Sequence, residues 1–567
     1  MFFLSATKHD ISNKFQDGSI DSTKEGPFFI ISITDGKNSD FFQDEIGFSI
    51  IASPLKHKKK GFYQMRIEYK KGNIKIHNTT YSGKAIYYYI DLKGNFYCSS
   101  HIRLLRKAGV PIIENKEVLP ELFIYRCVVP PTTLFKDILK MNNGETIHVK
   151  RTGDKWRLKK REQYNFQRPD KNNTNIDEII EKTDDLINSS VDELTESKER
   201  ISVLLSGGLD SSILFKINQK KFNINKSYST GYPFDPENNR EKEYALTAAE
   251  ALHSDHYYYH TDNNHYLNGL IESIQLAEEP ISHLQTVMFN LLLKEGIPQE
   301  KDIVLNGAGA DGIWGTTTHY IYRRNKKPLM KILSHSPFIE MLRIGSFVTN
   351  KGVGYVKTLQ ETKKYDFDYP DTRSILWDYD LWGSREWVRD YFKVNDQDII
   401  KNRYEMIKPY LDRSFYDIIT IIDSLTLIGI TYSFWNKIAE GNGKTFHYPF
   451  FHKNILDYTF TIPWETRIKE PKRILRYIAK RYDIPDFIIS RPKSGFGANP
   501  KNWSYKGSLF EPLIPMASNF FDPDQIRKMQ SPNMNKAMTF WGMLNYSIWK
   551  RLIINDESME VLIEEIE

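Results

Sequence analysis

Residues 201–215 read ISVLLSGGLDSSILF. An apolar run too short for a helix stops at Ser-Gly-Gly, and an apolar helical pattern resumes after Asp210, Ser211 and Ser212. A buried strand, a small-residue turn and a helix start, in that order, make a βα unit. The unit recurs along the chain. IDEIIEKTDDLINSSVDELTE is helical, NKSYSTGY reads as a second strand and EYALTAAEALH as a helix. DHYYYHT is a third strand, HLQTVMFNLLLKEG a helix, and DIVLNGAGADG a fourth strand that ends in glycines. Strands alternating with helices predict a parallel, doubly wound sheet. From about residue 320 onward the sequence reads as mostly helical and rich in aromatics.

Ligands of such sheets sit outside the carboxyl ends of the strands. Gly207 and Gly208 lack a Cβ, so backbone N–H groups there can approach an anion closely. The helix starting near Asp210 aims its positive end at the same place, and Ser206, Ser211 and Ser212 offer hydroxyls. This is a cradle for phosphate. It is not the GxxxxGK[ST] loop: the nearest approximation, GNGKT at 441–445, has Ile438 where the outer glycine belongs, and reads as a plain loop. A carboxylate inside an anion cradle repels its ligand unless a cation intervenes. Mg²⁺, held by one or two carboxylates and phosphate oxygens, is the natural one. A second carboxylate is therefore expected at a neighbouring strand end, and Asp311 in VLNGAGADG supplies it. Each Asp alone reads as a helix N-cap; together they point to a cation-bridged phosphate site.

The chain has 567 residues, too long for one ordinary core. Residues 1–165 read as β-rich, from GPFFIISIT, GFYQMRIEYKKG and AIYYYIDLKGNFYCSS, with a hairpin turn at LKGNFY and a solvated loop at HKKK, 57–60. The polar stretch 165–175 reads as a linker, and 176–567 as the second domain. The formal charge of +6 is small for this length and does not announce nucleic acid. Two cysteines, Cys98 and Cys127, form neither a disulfide framework nor a metal motif. No signal peptide is read at the start. The longest apolar stretch, FYDIITIIDSLTLIGITYSFW, carries Asp417 and Asp423, which fits a buried helix better than a membrane span. A cytoplasmic protein is expected.

SGGLDSS after a strand resembles the pyrophosphate loop of ATP pyrophosphatases. The ordered series of motifs resembles class B asparagine synthetases and their relatives, the β-lactam synthetases and lasso-peptide cyclases. EKEYALTAAEALHSDHYYY, with Glu243 at the acidic position, AEEPISHLQTVMFNLLLKEG, VLNGAGADGIWGT, YPFFHKNILDYTFTIP and PKRILRYIAKRYDIPDFIISRPKSGFGANP follow in the family's order; VVPPTTLFKDILKMNNGETIHV resembles the end of its first domain. The resemblance implies an N-terminal-nucleophile-type αββα sandwich over 1–165. It implies an adenine-nucleotide α-hydrolase-like domain with a parallel doubly wound sheet and added helices over 176–567. It implies ATP and Mg²⁺, attack of a substrate carboxylate on the α-phosphorus, and an amine that then converts the acyl-adenylate to an amide with release of AMP. Asp210 and Asp311 would hold the metal, and Lys493 would act in catalysis beside them. Leu204, Ser206, Gly207, Gly208, Asp210, Ser211, Ser212, Gly307, Lys472 and Lys493 would line the pyrophosphate site. Lys472 and Arg476 read equally well as an exposed basic helix face.

Three departures narrow the expectation. Position 2 is Phe where the synthetases carry their glutamine-hydrolysing cysteine, so the first domain is expected to lack that activity. The family's loop glutamate is Ala308, so another base must serve the attacking amine, with His283, His319, Tyr320, His447 and His452 as candidates. In TFHYPFFH, Thr445, His447 and His452 replace charged family positions, which implies a changed acyl pocket. The expected activity is an amide-forming ligase whose substrate carries both carboxylate and amine, closest to peptide cyclisation, with a precursor peptide and its peptidase as partners. Small-molecule amidation of the β-lactam-synthetase or ammonia-dependent kind is the alternative; a tRNA-modifying adenylating enzyme and a non-catalytic binding relative stand further off.

Overall fold

The computed structural model describes residues 2–8, 12, 15, 19–25, 28–34, 39–44, 47–52, 65–80, 84–232, 235–315, 382–491, 500–505 and 507–566. The HKKK stretch, His319, Tyr320 and Lys493 lie outside them.

The first half contains two six-stranded antiparallel sheets. One runs 139–140, 87–90, 96–99, 2–7, 28–34, 19–25 in spatial order; the other runs 155–162, 146–152, 73–78, 65–70, 47–52, 39–44. The two-residue period of a strand sorts the side chains. Phe2, Leu4 and Ala6 share one core with Met65, Ile67, Ile74, Ile76, Val149 and Trp156 of the second sheet. Phe3 belongs to the other core, with Ile102 and Leu105 of the helix Ile102–Ala108. The turn read at LKGN is a hairpin: Tyr87–Ile90 pairs antiparallel with Phe96–Ser99, and Asn95 N–H donates to Asp91.

The second half is built on a five-stranded sheet in the order 255–260, 226–231, 201–204, 303–305, 445–447, with each neighbouring pair parallel. The chain starts at the central strand, adds two strands on one side, then crosses to the other. The reversal falls between Ile201–Leu204 and Ile303–Leu305, where Ile201 pairs with Ile303 and Val203 with Leu305. Such a switch point leaves a crevice at the strand ends. The edge strand Thr445–His447 stands where the sequence reading had only the end of a loop.

The apolar stretch forms Phe415–Asp423, one π turn, and Gly429–Gly441. Its apolar window is wholly buried inside the protein. Asp417 pairs there with Arg467 at 2.8 Å.

The halves meet across buried charge. Lys140 of the first half donates to Glu279 of the second at 3.0 Å; Lys437, itself in the second half, donates to Glu278 at 2.8 Å and to the Tyr87 hydroxyl of the first half at 3.2 Å, and the four charged side chains are all less than a tenth exposed. Glu278, from the second half, accepts the backbone N–H groups of Ile102 and Arg103 at the start of a first-half helix. Tyr87 donates to Glu279. Burial works against the Glu279 carboxylate, yet Lys140 and Lys437 hold its pKa below the usual range.

Candidate active site

The two strands flanking the switch point each run into a small-residue turn and then a helix. After Ile201–Leu204, Gly208 caps the helix Leu209–Phe222, with Asp210 in its first turn. After Ile303–Leu305, Gly309 caps the short helix Ala310–Trp314, with Asp311 in its first turn. The turns are pressed together. A Cβ on Gly307 would lie 3.1 Å from Ser211 N and 3.3 Å from Asp210 Cβ. Gly207 has φ +70°, and a Cβ there would lie 2.3 Å from the carbonyl oxygen of Tyr244. Glycine is thus required at Gly207 by conformation and by space.

Ser211 organises the first turn from inside. Its hydroxyl accepts from Ser206 N–H at 3.2 Å, contacts Ser206 Oγ at 3.1 Å and donates to the Gly208 carbonyl at 3.1 Å. Ser206 itself is exposed at the mouth. Ser212 is fully buried, and its hydroxyl has no hydrogen-bond partner among the described residues. Leu204 ends its strand with its side chain in the core.

The two carboxylates do share one cation-sized position. Lys472 Nζ contacts Asp210 Oδ2 at 2.5 Å and Asp311 Oδ1 at 2.7 Å. Lys472 is not on an exposed helix face: its side chain is 12% exposed, against 14% for Asp210 and 33% for Asp311. It precedes the helix Arg473–Arg481 in a left-handed conformation, φ 53°, and its N–H donates to the Trp314 carbonyl at 3.1 Å. That strained backbone turns the side chain back into the crevice. Burial opposes the ammonium, yet Asp210 and Asp311 raise its pKa well above the ordinary lysine value. Arg476, one turn on, is half-buried.

Arg491 closes the other side of the turn. It donates to the Ser206 carbonyl at 3.3 Å, pairs with Glu241 at 2.7 Å and stacks on Tyr244 at 3.7 Å. The acidic residue engaged here is Glu241; Glu243, singled out from the motif, is exposed.

Three of the candidate bases are engaged elsewhere. His447 is fully buried against the Ser190 carbonyl at 3.1 Å, and burial lowers its pKa to about 3. His452 pairs with Glu193 at 3.2 Å and caps the helix Lys453–Thr461. His283 faces Arg126 at 3.3 Å, and burial and that charge push its pKa far down. Sequence reasoning missed Tyr432, which looked like one more aromatic in an apolar helix. It is 2% exposed and stacks on Tyr448 at 4.0 Å. Its hydroxyl has no hydrogen-bond partner among the described residues and sits 3.0 Å from where a Gly309 Cβ would be. Burial, with Asp311 and Asp210 nearby, raises its pKa strongly.

Two acidic groups at adjacent strand ends, spanned by one ammonium beside a glycine turn, mark the sheet switch point of an α/β protein. Residues 182–551 match the family model for asparagine synthase, and the chain belongs to that family. It is 24% identical over 438 residues to a glutamine-hydrolyzing asparagine synthetase of Bacillus subtilis, covering 73% of this chain and 64% of that protein. It is 21% identical over 381 residues to proteins named as candidate glutamine-hydrolyzing asparagine synthetases in Mycobacterium bovis and Mycobacterium tuberculosis, covering 62% of this chain and 55% of each. The chain thus spans between about half and two thirds of the length of these relatives.

Proposed function

We propose that this chain is an ATP- and Mg²⁺-dependent carbon–nitrogen ligase that adenylates a substrate carboxylate and joins it to an amine carried by the substrate itself, as in cyclisation of a peptide. The observation that supports it most is the convergence of Asp210 and Asp311 on Lys472 beside the Ser206–Ser211 turn. The residues present fit the ion: two carboxylates on one position, with an ammonium as stand-in and room kept by Gly307. Bound there with phosphate oxygens, Mg²⁺ would supply charge neutralisation for the pyrophosphate leaving group. The turn's N–H groups and Ser206 would orient that group, and Lys472, displaced from one carboxylate, would meet its negative charge. Lys493 belongs to the same proposal; Arg491, two residues before it, is anchored on the turn.

The thiols support an amine that the first half does not release from glutamine. Cys98 is fully buried, and burial pushes its pKa well up; Cys127 is buried too. Neither is placed to act as a nucleophile. Phe2 packs its side chain into the inter-sheet core rather than facing a cleft. The first half then serves as structure, and the reaction takes place in the cytoplasm on a peptide delivered with its peptidase.

The test is quantitation of pyrophosphate and AMP with ATP, Mg²⁺ and candidate peptides, alongside mass analysis of the peptide. Expected are equimolar AMP and pyrophosphate and a product lighter by one water, all abolished in Asp311→Asn. Product formed only with added ammonia, or with a small amino acid derivative, would move the reading to small-molecule amidation. No ATP cleavage with any carboxylate would leave a binding protein.

A further inference from the structure

One polar atom beside the two aspartates has no partner. The hydroxyl of Tyr432 is buried and makes no hydrogen bond to any described residue. Buried polar atoms are nearly always paired, and leaving one orphaned is costly. Three rings hold the phenol in place. It stacks on Tyr448 at 4.0 Å with the planes 7° apart, lies 5.7 Å from Trp435 in a second stack, and meets the Phe451 ring edge-on at 5.7 Å. Tyr448 is tied back to the same helix, its hydroxyl donating to Asn436 at 3.3 Å.

The backbone aims this hydroxyl at one turn. Tyr432 stands near the start of Gly429–Gly441, directly after the π turn Ser424–Ile428. A π turn holds one residue more than an α turn, and the extra residue rotates all that follows by about 100°. The π turn packs against the helix Ala310–Trp314, whose first turn carries Asp311. The hydroxyl lies 3.0 Å from where a Gly309 Cβ would be, two residues before Asp311. Glycine at 309 thus keeps the hydroxyl against the turn. Burial, then Asp311, then Asp210 hold the phenol in its protonated form, in which it can donate.

Asp311 has its Oδ1 on Lys472 at 2.7 Å. A carboxylate that binds a metal through one oxygen keeps the other for a donor from the protein, and such donors orient the ligand. We infer that Tyr432 is the positioning residue for Asp311: once the Lys472 ammonium gives way to a divalent ion, the Tyr432 hydroxyl donates to the second oxygen of Asp311 and fixes that carboxylate on the ion. The inference rests on the metal site proposed above. It accounts for the orphan as a donor kept for the loaded state, and for a tyrosine in a stack that phenylalanine would fill as well.

Titration of the full chain with Mn²⁺, followed by the paramagnetic resonance of the free ion, tests this without nucleotide or turnover. The ammonium competes in the wild-type protein, so the comparison is made in Lys472→Met. Adding Tyr432→Phe should weaken Mn²⁺ binding about tenfold, the lower end of what a hydrogen bond to a metal ligand contributes, with no fall in the metal-free melting temperature. Adding Tyr448→Phe, which removes the other hydroxyl of the stack, should leave the affinity unchanged. The same tenfold ratio is expected between the wild-type protein and Tyr432→Phe at higher Mn²⁺, which covers a failure of Lys472→Met to fold. Equal affinities with and without Tyr432→Phe, or an equal loss in Tyr448→Phe, would overturn the inference and leave the metal site standing. Mn²⁺ binding that is absent throughout, or that survives Asp311→Asn undiminished, would overturn both.

Discussion

Replacing Lys472 by Met removes the ammonium between Asp210 and Asp311 and keeps most of the side chain's bulk. Deleting one partner of a fully buried ion pair costs about 3–5 kcal/mol, because the remaining charge is left uncompensated. Here two carboxylates remain, facing one another. Asp311 is 33% exposed, so water recovers part of the penalty. A loss of about 2–3 kcal/mol in the metal-free protein is therefore expected. The assay is thermal or urea unfolding at neutral pH in EDTA, then with Mg²⁺. The variant's carboxylates are open to Mg²⁺, and at ten times its dissociation constant the ion restores about 1.4 kcal/mol. The wild-type protein gains much less, because its own ammonium competes for the same oxygens. Equal stabilities in EDTA, or equal Mg²⁺ shifts in both proteins, would refute the idea that one position serves lysine and metal in turn.

Gly207→Ala combines a left-handed φ with a backbone clash, so it should lower stability by more than the ~1–2 kcal/mol of the conformation alone and weaken ATP binding; Gly443→Ala, with φ +70° and open space around it, should show only the conformational loss and bind ATP normally. Tyr432→Phe deletes a buried hydroxyl without a partner among the described residues, so the nucleotide-free protein should be as stable or more stable by about 1 kcal/mol, while pyrophosphate release falls; a drop in melting temperature would mean the hydroxyl is structural. His447 has a folded pKa of about 3 against 6.5 in the free side chain, so the unfolded chain takes up the proton first as pH falls. Its contribution is intact above about pH 6.5 and lost on the way to 3, with ~2 kcal/mol gone by pH 5. His256, lowered to about 4 by burial, adds in the same sense. His447→Gln should flatten the acid limb of stability measured by urea unfolding.

What could be read in advance was local. The βα alternation of 201–311 is written in short apolar runs that stop at glycines, and both aspartates follow from that pattern. The strand Thr445–His447 escaped because three residues carry no periodicity, and its partner is about 140 residues away. Lys472 was ambiguous because a basic residue beside a helix carries no mark of its φ. Arg491, Glu241 and Tyr244 meet only through the fold. Tyr432 was hidden by its company, since helix periodicity separates core from surface and not core from cavity. The buried pairs Lys437–Glu278 and Lys140–Glu279 join residues more than a hundred positions apart, and no short-range rule finds them.

Those pairs bear on how the molecule can be taken apart. An engineer who cuts between residues 165 and 175, hoping to keep the synthetase half, would uncover a carboxylate at Glu278 that had been seated on a foreign helix, and a Glu279 stripped of Lys140 and Tyr87, with Lys437 alone left to serve both glutamates. The severed piece should come out insoluble, and co-expression of both fragments should rescue it. A half that contributes no described residue to the Lys472 site can still be indispensable, because it supplies the lysine and the helix N–H groups on which its neighbour's glutamates are seated.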